Sequence, residues 1–212
     1  MVAGKTSDDK AGASLASYRS KRALSRTPDP EGAERPSDDV PIFVIQKHDA
    51  STLHYDFRIE ADGVLKSWAV PKGPSTDPRE KRLAIPTEDH PLDYAEFEGV
   101  IPEDEYGAGT VLIWDRGTYE NMTEGDGGPK PIADAIEAGH VVVWLHGEKI
   151  GGGYALQRTG DGKDARWLLV KMDDDEADAR RNPVSTEPLS VASGRDLYEI
   201  AEQGAEWEDD EA

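Results

Sequence analysis

The chain contains no cysteine. That removes disulfides and thiolate metal sites together, so any metal must be held by nitrogen and oxygen donors. Apolar residues are also scarce, at 36% of 212. Part of the sequence is therefore expected to lie outside a packed core. No apolar run approaches bilayer-spanning length, and the opening MVAGKTSDDKAGAS lacks the apolar core of a signal peptide. These absences argue against a membrane protein and give a cytoplasmic location as the expectation. Basic residues are few as well: 24 Lys and Arg stand against 44 Asp and Glu, a formal net charge of −20. The acids are scattered along the chain, as on a solvated surface suited to high salt. A polyanionic substrate is compatible with that charge if local cations or a metal receive it.

What is present is a ladder of strand patterns. Residues 1–40, rich in Ser, Asp, Ala and Pro, read as a largely disordered arm with a short helix around LASYRSKRALSR. Residues 41–172 read as the main domain. Strands are predicted in PIFVIQKH, LHYDFRIE, VLKSWAV, KRLAIPT, TVLIWDRGTYE, HVVVWLHGEK, GYALQR and RWLLVKM, with one helix in PIADAIEAG. Gly, Pro and Asp turns separate them. Short, closely spaced strands with few helices predict an all-β fold. Residues 173–212 form an acidic segment with a short helix in GRDLYEIAEQ and a disordered tail. GEKIGGGYAL lacks the Gly-Lys-Ser/Thr ending of a phosphate loop and reads as a hairpin turn. IEADGV lacks the lysine nucleophile of a Lys-x-Asp-Gly nucleotidyl transferase, because Glu60 stands at that position.

The chemistry concentrates in QKHDASTLHYDFRIE. Alternation puts Leu53, Tyr55, Phe57 and Ile59 on one face of a strand and His54, Asp56, Arg58 and Glu60 on the other. Val44, Gln46 and His48 share a face of the strand before it. The turn-forming DAST predicts a hairpin that sets His48 beside His54. Two imidazoles and a carboxylate there form a candidate divalent-metal site with coordination positions left open. Arg58 follows on the same face, suited to hold a phosphate or carboxylate in a bidentate contact. His90 and Tyr94, in TEDHPLDYAEFEG, are candidates for a general acid or a phosphate donor. His140 and His146 read as strand-end surface residues.

These residues in this order resemble the 3′-phosphoesterase domain of DNA repair ligases of the ligase D type. FVIQKHDASTLHYDFRIEADGVLKSWAVPKGPS, KRLAIPTEDHPLDYAEFEGVIP, YGAGTVLIWDRGTYE, WLLVK and SVASGRDLYEI carry the resemblance, from about Tyr18 to Ile200. It implies a small antiparallel β-barrel with a polar, solvent-open interior housing the active site. It implies that His48, His54 and Asp56 bind Mn2+, with Zn2+ or Co2+ as other divalent candidates. It gives Arg58, His90 and Tyr94 to the scissile phosphate, and Gln46, Lys72 and Arg82 to the phosphate or the metal shell. The implied reaction removes a 3′-terminal ribonucleoside from DNA and then the remaining 3′-phosphate, in non-homologous end joining.

The N-terminal arm departs from the family pattern. Arg22 is kept as a substrate-binding candidate, Ala23 replaces an acid, and Asp29 replaces a glutamate as the second candidate of the arm. Asp104 stands where a glycine is expected. A stand-alone monomer working with a separate DNA ligase or polymerase is the expectation. Two alternatives stand beside it. A non-catalytic DNA-end-binding module would bind ends without turnover when manganese is present. An iron(II) oxygenase would use His54, Asp56 and His90 as its triad and release succinate from 2-oxoglutarate.

Overall fold

The computed structural model describes residues 14–21, 30, 40–125, 127–160 and 165–209, with 204–209 by backbone alone. Strands form where apolar residues alternate: β1 (Ile42–Asp49), β2 (Leu53–Ala61), β3 (Val64–Val70), β4 (Lys81–Pro86), β5 (Gly99–Ile101), β6 (Gly109–Asn121), β9 (His140–Gly147), β10 (Gly151–Thr159) and β11 (Arg166–Lys171). A small ribbon, β7 (Glu124–Gly125) and β8 (Gly128–Pro129), interrupts them. Each strand predicted from the sequence is there. Neither β5 nor the 3₁₀ turn over Leu92–Glu96 has a periodic signature in the sequence. The turn between β2 and β3 falls on Asp62 (φ 51°) and Gly63 (φ 76°), the pair of positive-φ residues that a two-residue hairpin requires. The turn expected in GEKIGGGYAL joins β9 to β10, and the Asp115 carboxylate accepts the backbone N–H groups of Glu148, Lys149 and Ile150 in it.

Antiparallel neighbours run β1-β2-β3-β4-β11-β10-β9-β6, and β6 returns to β1, so eight strands close a barrel. The fold is the all-β barrel that was expected, but its interior is not polar. Phe43, Ile45, Tyr55, Phe57, Ile59, Trp68, Trp114, Tyr154, Trp167 and Leu169 meet inside in one core. An eight-stranded barrel is just wide enough for its own side chains. Aromatic residues from nearly every wall strand fill it, leaving no room for a substrate. The polar face of LHYDFRIE is therefore the outer face of the wall, and the expectation of a polar interior is corrected on this point.

That outer face is covered in part. Beyond β4, Thr87 N donates to Ser67 O, and His90 pairs with Leu65 through two backbone hydrogen bonds. The chain thus follows the edge of β3 before the 3₁₀ turn crosses the outside of the sheet. Leu92, Tyr94, Phe97, Ile101, Val44, Leu65 and Ile113 form a second apolar cluster there, joined by Tyr18 of α1 (Ala16–Lys21). The other helices are α2 (Ile132–Ala138), α3 (Pro183–Thr186) and α4 (Leu197–Asp209). The acidic segment after Lys171 is strapped onto the barrel through 203. Trp114 Nε1 donates to Glu187 O (2.8 Å), Val191 N to Ile113 O (2.9 Å), and Ile200 enters the main core. Most of the expected N-terminal arm, and the helix expected beyond Lys21, lie outside the described residues.

Candidate metal centre

The hairpin register places His48 opposite His54 and Gln46 opposite Asp56. The sequence predicted the first pair, and the structure shows it. His54 Nε2 lies 3.7 Å from Asp56 Oδ1, and His48 Nδ1 lies 3.8 Å from Oδ2. One ligand atom from each of the three side chains falls within 4.8 Å of the others. Two atoms bound to one ion about 2.1 Å away stand about 3–4 Å apart, so these separations need little contraction.

The donor set also fits an ion chemically. The buried Nε2 of His48 has no hydrogen-bond partner among the described residues. His54 Nδ1 is 2.9 Å from Thr52 O; donating there leaves the Nε2 lone pair facing Asp56. Burial pushes the Asp56 carboxyl up, but the Arg58 guanidinium and the two imidazoles outweigh it and hold the carboxyl well below the ordinary range. Burial likewise lowers His54, yet its contact with Asp56 prevails and raises it. An ionised carboxylate between two imidazoles is a site with cation affinity.

Arg58 is 3% exposed and held on all sides. Its Nε donates to Gln46 Oε1 (2.8 Å), Nη1 to Ser67 Oγ (2.9 Å) and Nη2 to Asp56 Oδ2 (3.0 Å). Its Cζ sits 5.0 Å over the Tyr94 ring. Nη1 is also 2.8 Å from His90 Nδ1, which lies 2.9 Å from Glu88 O. The guanidinium only donates and the carbonyl only accepts, so a bare Nδ1 serves Arg58 and a protonated one serves Glu88. Gln46 spends its amide on the cover, donating from Nε2 to Tyr94 O and Phe97 O, both 3.0 Å away. One amide thus ties the arginine to the 3₁₀ turn.

The structure brings His48, His54, Asp56, Arg58, Gln46, His90 and Tyr94 together. It does not make His90 a third ligand beside His54 and Asp56. His48 closes the cluster, and the Arg58 guanidinium stands between His90 and Asp56. The oxygenase triad is corrected on that ground. Lys72 lies on an exposed turn after β3. Arg82 shares the side of β4 that carries the core residue Ala84, the side opposite Asp56, and its Nη2 pairs with Glu80 at 2.6 Å. Arg22 and Asp29 lie outside the described residues. Sequence reading missed Ser67, whose signal was a lone hydroxyl in VLKSWAV in register with Arg58. It also missed Glu88, whose carboxylate takes Lys21 Nζ at 3.1 Å and whose carbonyl faces His90.

Residues 46–158 match the family described as the DNA Ligase D 3′-phosphoesterase domain. The chain is 48% identical over 188 residues to the multifunctional non-homologous end joining protein LigD of Pseudomonas aeruginosa, covering 86% of this chain and 22% of that protein. It is 49% identical over 160 residues to the multifunctional non-homologous end joining DNA repair protein LigD of Mycobacterium tuberculosis, covering 74% and 20%. With the LigD of Mycolicibacterium smegmatis the identity is 45% over 182 residues, covering 85% and 23%. The chain thus spans about a fifth of the length of these curated relatives. The family match takes in the whole cluster from Gln46 to Tyr94 and more than half of the 212 residues, and by it the chain belongs to the DNA ligase D 3′-phosphoesterase domain family.

Proposed function

We propose that this protein is a metal-dependent phosphoesterase that heals DNA 3′ ends for non-homologous end joining. It removes a 3′-terminal ribonucleoside and then the 3′-phosphate, leaving a 3′-hydroxyl for a DNA ligase or polymerase. One observation carries the reading: a His48–His54–Asp56 ligand set with Arg58 fixed against it, inside the segment matched to the phosphoesterase family. His48, His54 and Asp56 would hold Mn2+, which would polarise a phosphoryl oxygen and acidify a bound water.

The protein's own groups do the rest. Arg58 has five N–H donors. Gln46, Ser67, His90 and Asp56 engage four, so an Nη2 N–H stays available for a phosphoryl oxygen. Its fixed geometry makes that donor preorganised for charge developing on phosphorus. With Nδ1 taken by Arg58, neutral His90 carries its proton on Nε2 and can give it to the phosphate or the leaving oxygen. Tyr94, packed 4.7 Å from the His90 ring, offers a second donor. Lys72, on the exposed turn after β3, is assigned to the approaching phosphates, Arg82 would have to leave Glu80 to join it, and Arg22 and Asp29 are assigned to the substrate.

The test is a primer–template ending in one 3′ ribonucleotide, incubated with the protein and Mn2+ and resolved on a gel. The expected products are a primer shortened to a 3′-phosphate and then a 3′-hydroxyl end, with neither formed in chelator. An end that is bound but unchanged with Mn2+ present would overturn the proposal in favour of a non-catalytic end-binding module.

A further inference from the structure

The segment that carries His90 is met residue by residue from α1 and the residues just before it. Lys21 Nζ pairs with the Glu88 carboxylate at 3.1 Å, and Ser14 Oγ donates to the Asp89 carboxylate. The Tyr18 ring stands against His90, with the ring centroids 5.2 Å apart. Ser14, Tyr18 and Lys21 are spaced by four and then three positions, the spacing of one helical face. Asp89 is fixed from the barrel as well, by Lys66 Nζ at 2.6 Å. Tyr18 is fully buried, and its hydroxyl donates to Pro30 O at 2.8 Å. It belongs to the outer apolar cluster and not to the barrel core.

The imidazole it touches has a contested nitrogen. His90 Nδ1 lies 2.8 Å from Arg58 Nη1, which only donates, and 2.9 Å from Glu88 O, which only accepts. The last torsion of a histidine is broad and roughly two-fold, so the side chain's own rotamer does not decide which way the ring faces. Packing decides it. Tyr94 approaches His90 at 4.7 Å, and the two tyrosines meet each other edge to face at 6.1 Å. The three ring centroids therefore form a closed triangle. A half-turn of the imidazole would put a carbon in place of Nδ1 at Arg58, and it would have to move past both tyrosine rings.

We propose that Tyr18 is a positioning residue for His90. Its ring closes the triangle, holds a bare Nδ1 on Arg58, and so keeps the proton on Nε2, the donor assigned above to the phosphate. The assignment rests on the phosphoesterase reading and adds to it a residue that acts only through His90. A drift of about 1 Å in a reacting group can cost roughly a hundredfold in rate, so a ring that merely holds another ring can matter to turnover.

Tyr18→Leu keeps an apolar side chain in the cluster and removes the ring, whereas Tyr18→Phe keeps the ring and gives up the bond to Pro30 O. Side-chain nitrogen NMR of the protein without added metal, at about pH 8 where an ordinary imidazole is neutral, reads the tautomer. His90→Ala identifies the His90 signals. Wild type and Tyr18→Phe should show a bare Nδ1 and a protonated Nε2. Tyr18→Leu should move both signals toward the average of the two tautomers. On the ribonucleotide-ended primer–template, Tyr18→Leu should lower kcat for the 3′-hydroxyl product about tenfold or more with KM within about twofold, and Tyr18→Phe should restore most of it. Adding His90→Ala to Tyr18→Leu should cost nothing beyond the loss from His90→Ala alone. Ser14→Ala with Lys21→Ala cuts the two polar ties of the same helix and should move the His90 signals the same way, which keeps the test open if Tyr18→Leu does not fold. Signals unmoved in these variants, or losses that add in the double variant, would overturn the assignment and leave Tyr18 a packing residue. If the wild-type protein forms no 3′-hydroxyl end, the phosphoesterase reading fails, while the nitrogen signals still decide whether Tyr18 sets the ring.

Discussion

Asp56 sits between two imidazoles and a guanidinium, so its removal should show most sharply what the cluster does. Loss of a partner that merely orients a ligand costs about 10–100-fold, and loss of a ligand should cost more. Asp56→Ala should therefore lower turnover on the ribonucleotide-ended primer by more than about a hundredfold at saturating Mn2+. Its circular dichroism should match wild type, because the side chain lies outside the barrel core. Wild-type turnover in that variant would end the metal assignment. Gln46→Leu tests a different link. It strands Arg58 Nε and removes the Gln46 donor from the carbonyl of Phe97, while Tyr94 O keeps the N–H of Phe97. Each buried orphan costs about 1–3 kcal/mol, so urea denaturation should show a loss of at least about 2 kcal/mol. His90→Ala and Tyr94→Phe should separate the two reaction steps. A monoester carries one more negative charge than a diester and depends more on donors. The 3′-phosphate intermediate should accumulate in a time course, and equal slowing of both steps would show that these residues are not selective. At this scale the sequence showed His54, Asp56 and Arg58 on one face through alternation alone. It could not show that Ser67 and Gln46 complete the arginine's shell, because strand pairing across β1, β2 and β3 decides that.

Among the elements, the hairpin β1–β2 was readable and the cover over it was not. A period of two and a DAST turn are local signals. The 3₁₀ turn at Leu92–Glu96 has no periodicity to announce it and is fixed by Gln46 and by packing on Tyr18. One carboxylate adds several ties to the strap after Lys171. Glu98 accepts hydrogen bonds from Ile113 N, the hydroxyls of Ser190 and Ser193, and Arg195 Nη2 (3.0 Å). Burial pushes Glu98 up, but these donors outweigh it and hold it below its ordinary value of 4.5. Its contribution is therefore present in full above that value and is lost as the pH falls through the lower folded value. Glu98→Gln should cost about 1–3 kcal/mol at neutral pH. The Tm gap between wild type and variant should then narrow below about pH 4.5. A gap that stays constant down to pH 3 would mean that the carboxylate's charge does not hold the strap.

The whole molecule is an anion that is proposed to act on an anion. With few cations aimed at substrate, binding of the primer end should depend weakly on salt, with a log–log slope smaller in magnitude than about 2. Titration between low and moderate salt measures it, and the slope of a protein with six or more phosphate contacts would refute it. The sequence by itself determined the strand ladder, the turns, the pairing of His48 with His54, the separation of one polar face from one apolar face, and the family. Those are carried by short-range alternation and by contiguous motifs. Only the tertiary structure decided which face lies inside. Alternation says that two faces differ, but closure of eight strands makes the interior a small volume, and Trp114, Phe57, Tyr154 and their neighbours fill it. The polar face is thereby left outside, where the 3₁₀ turn and α1 cover part of it.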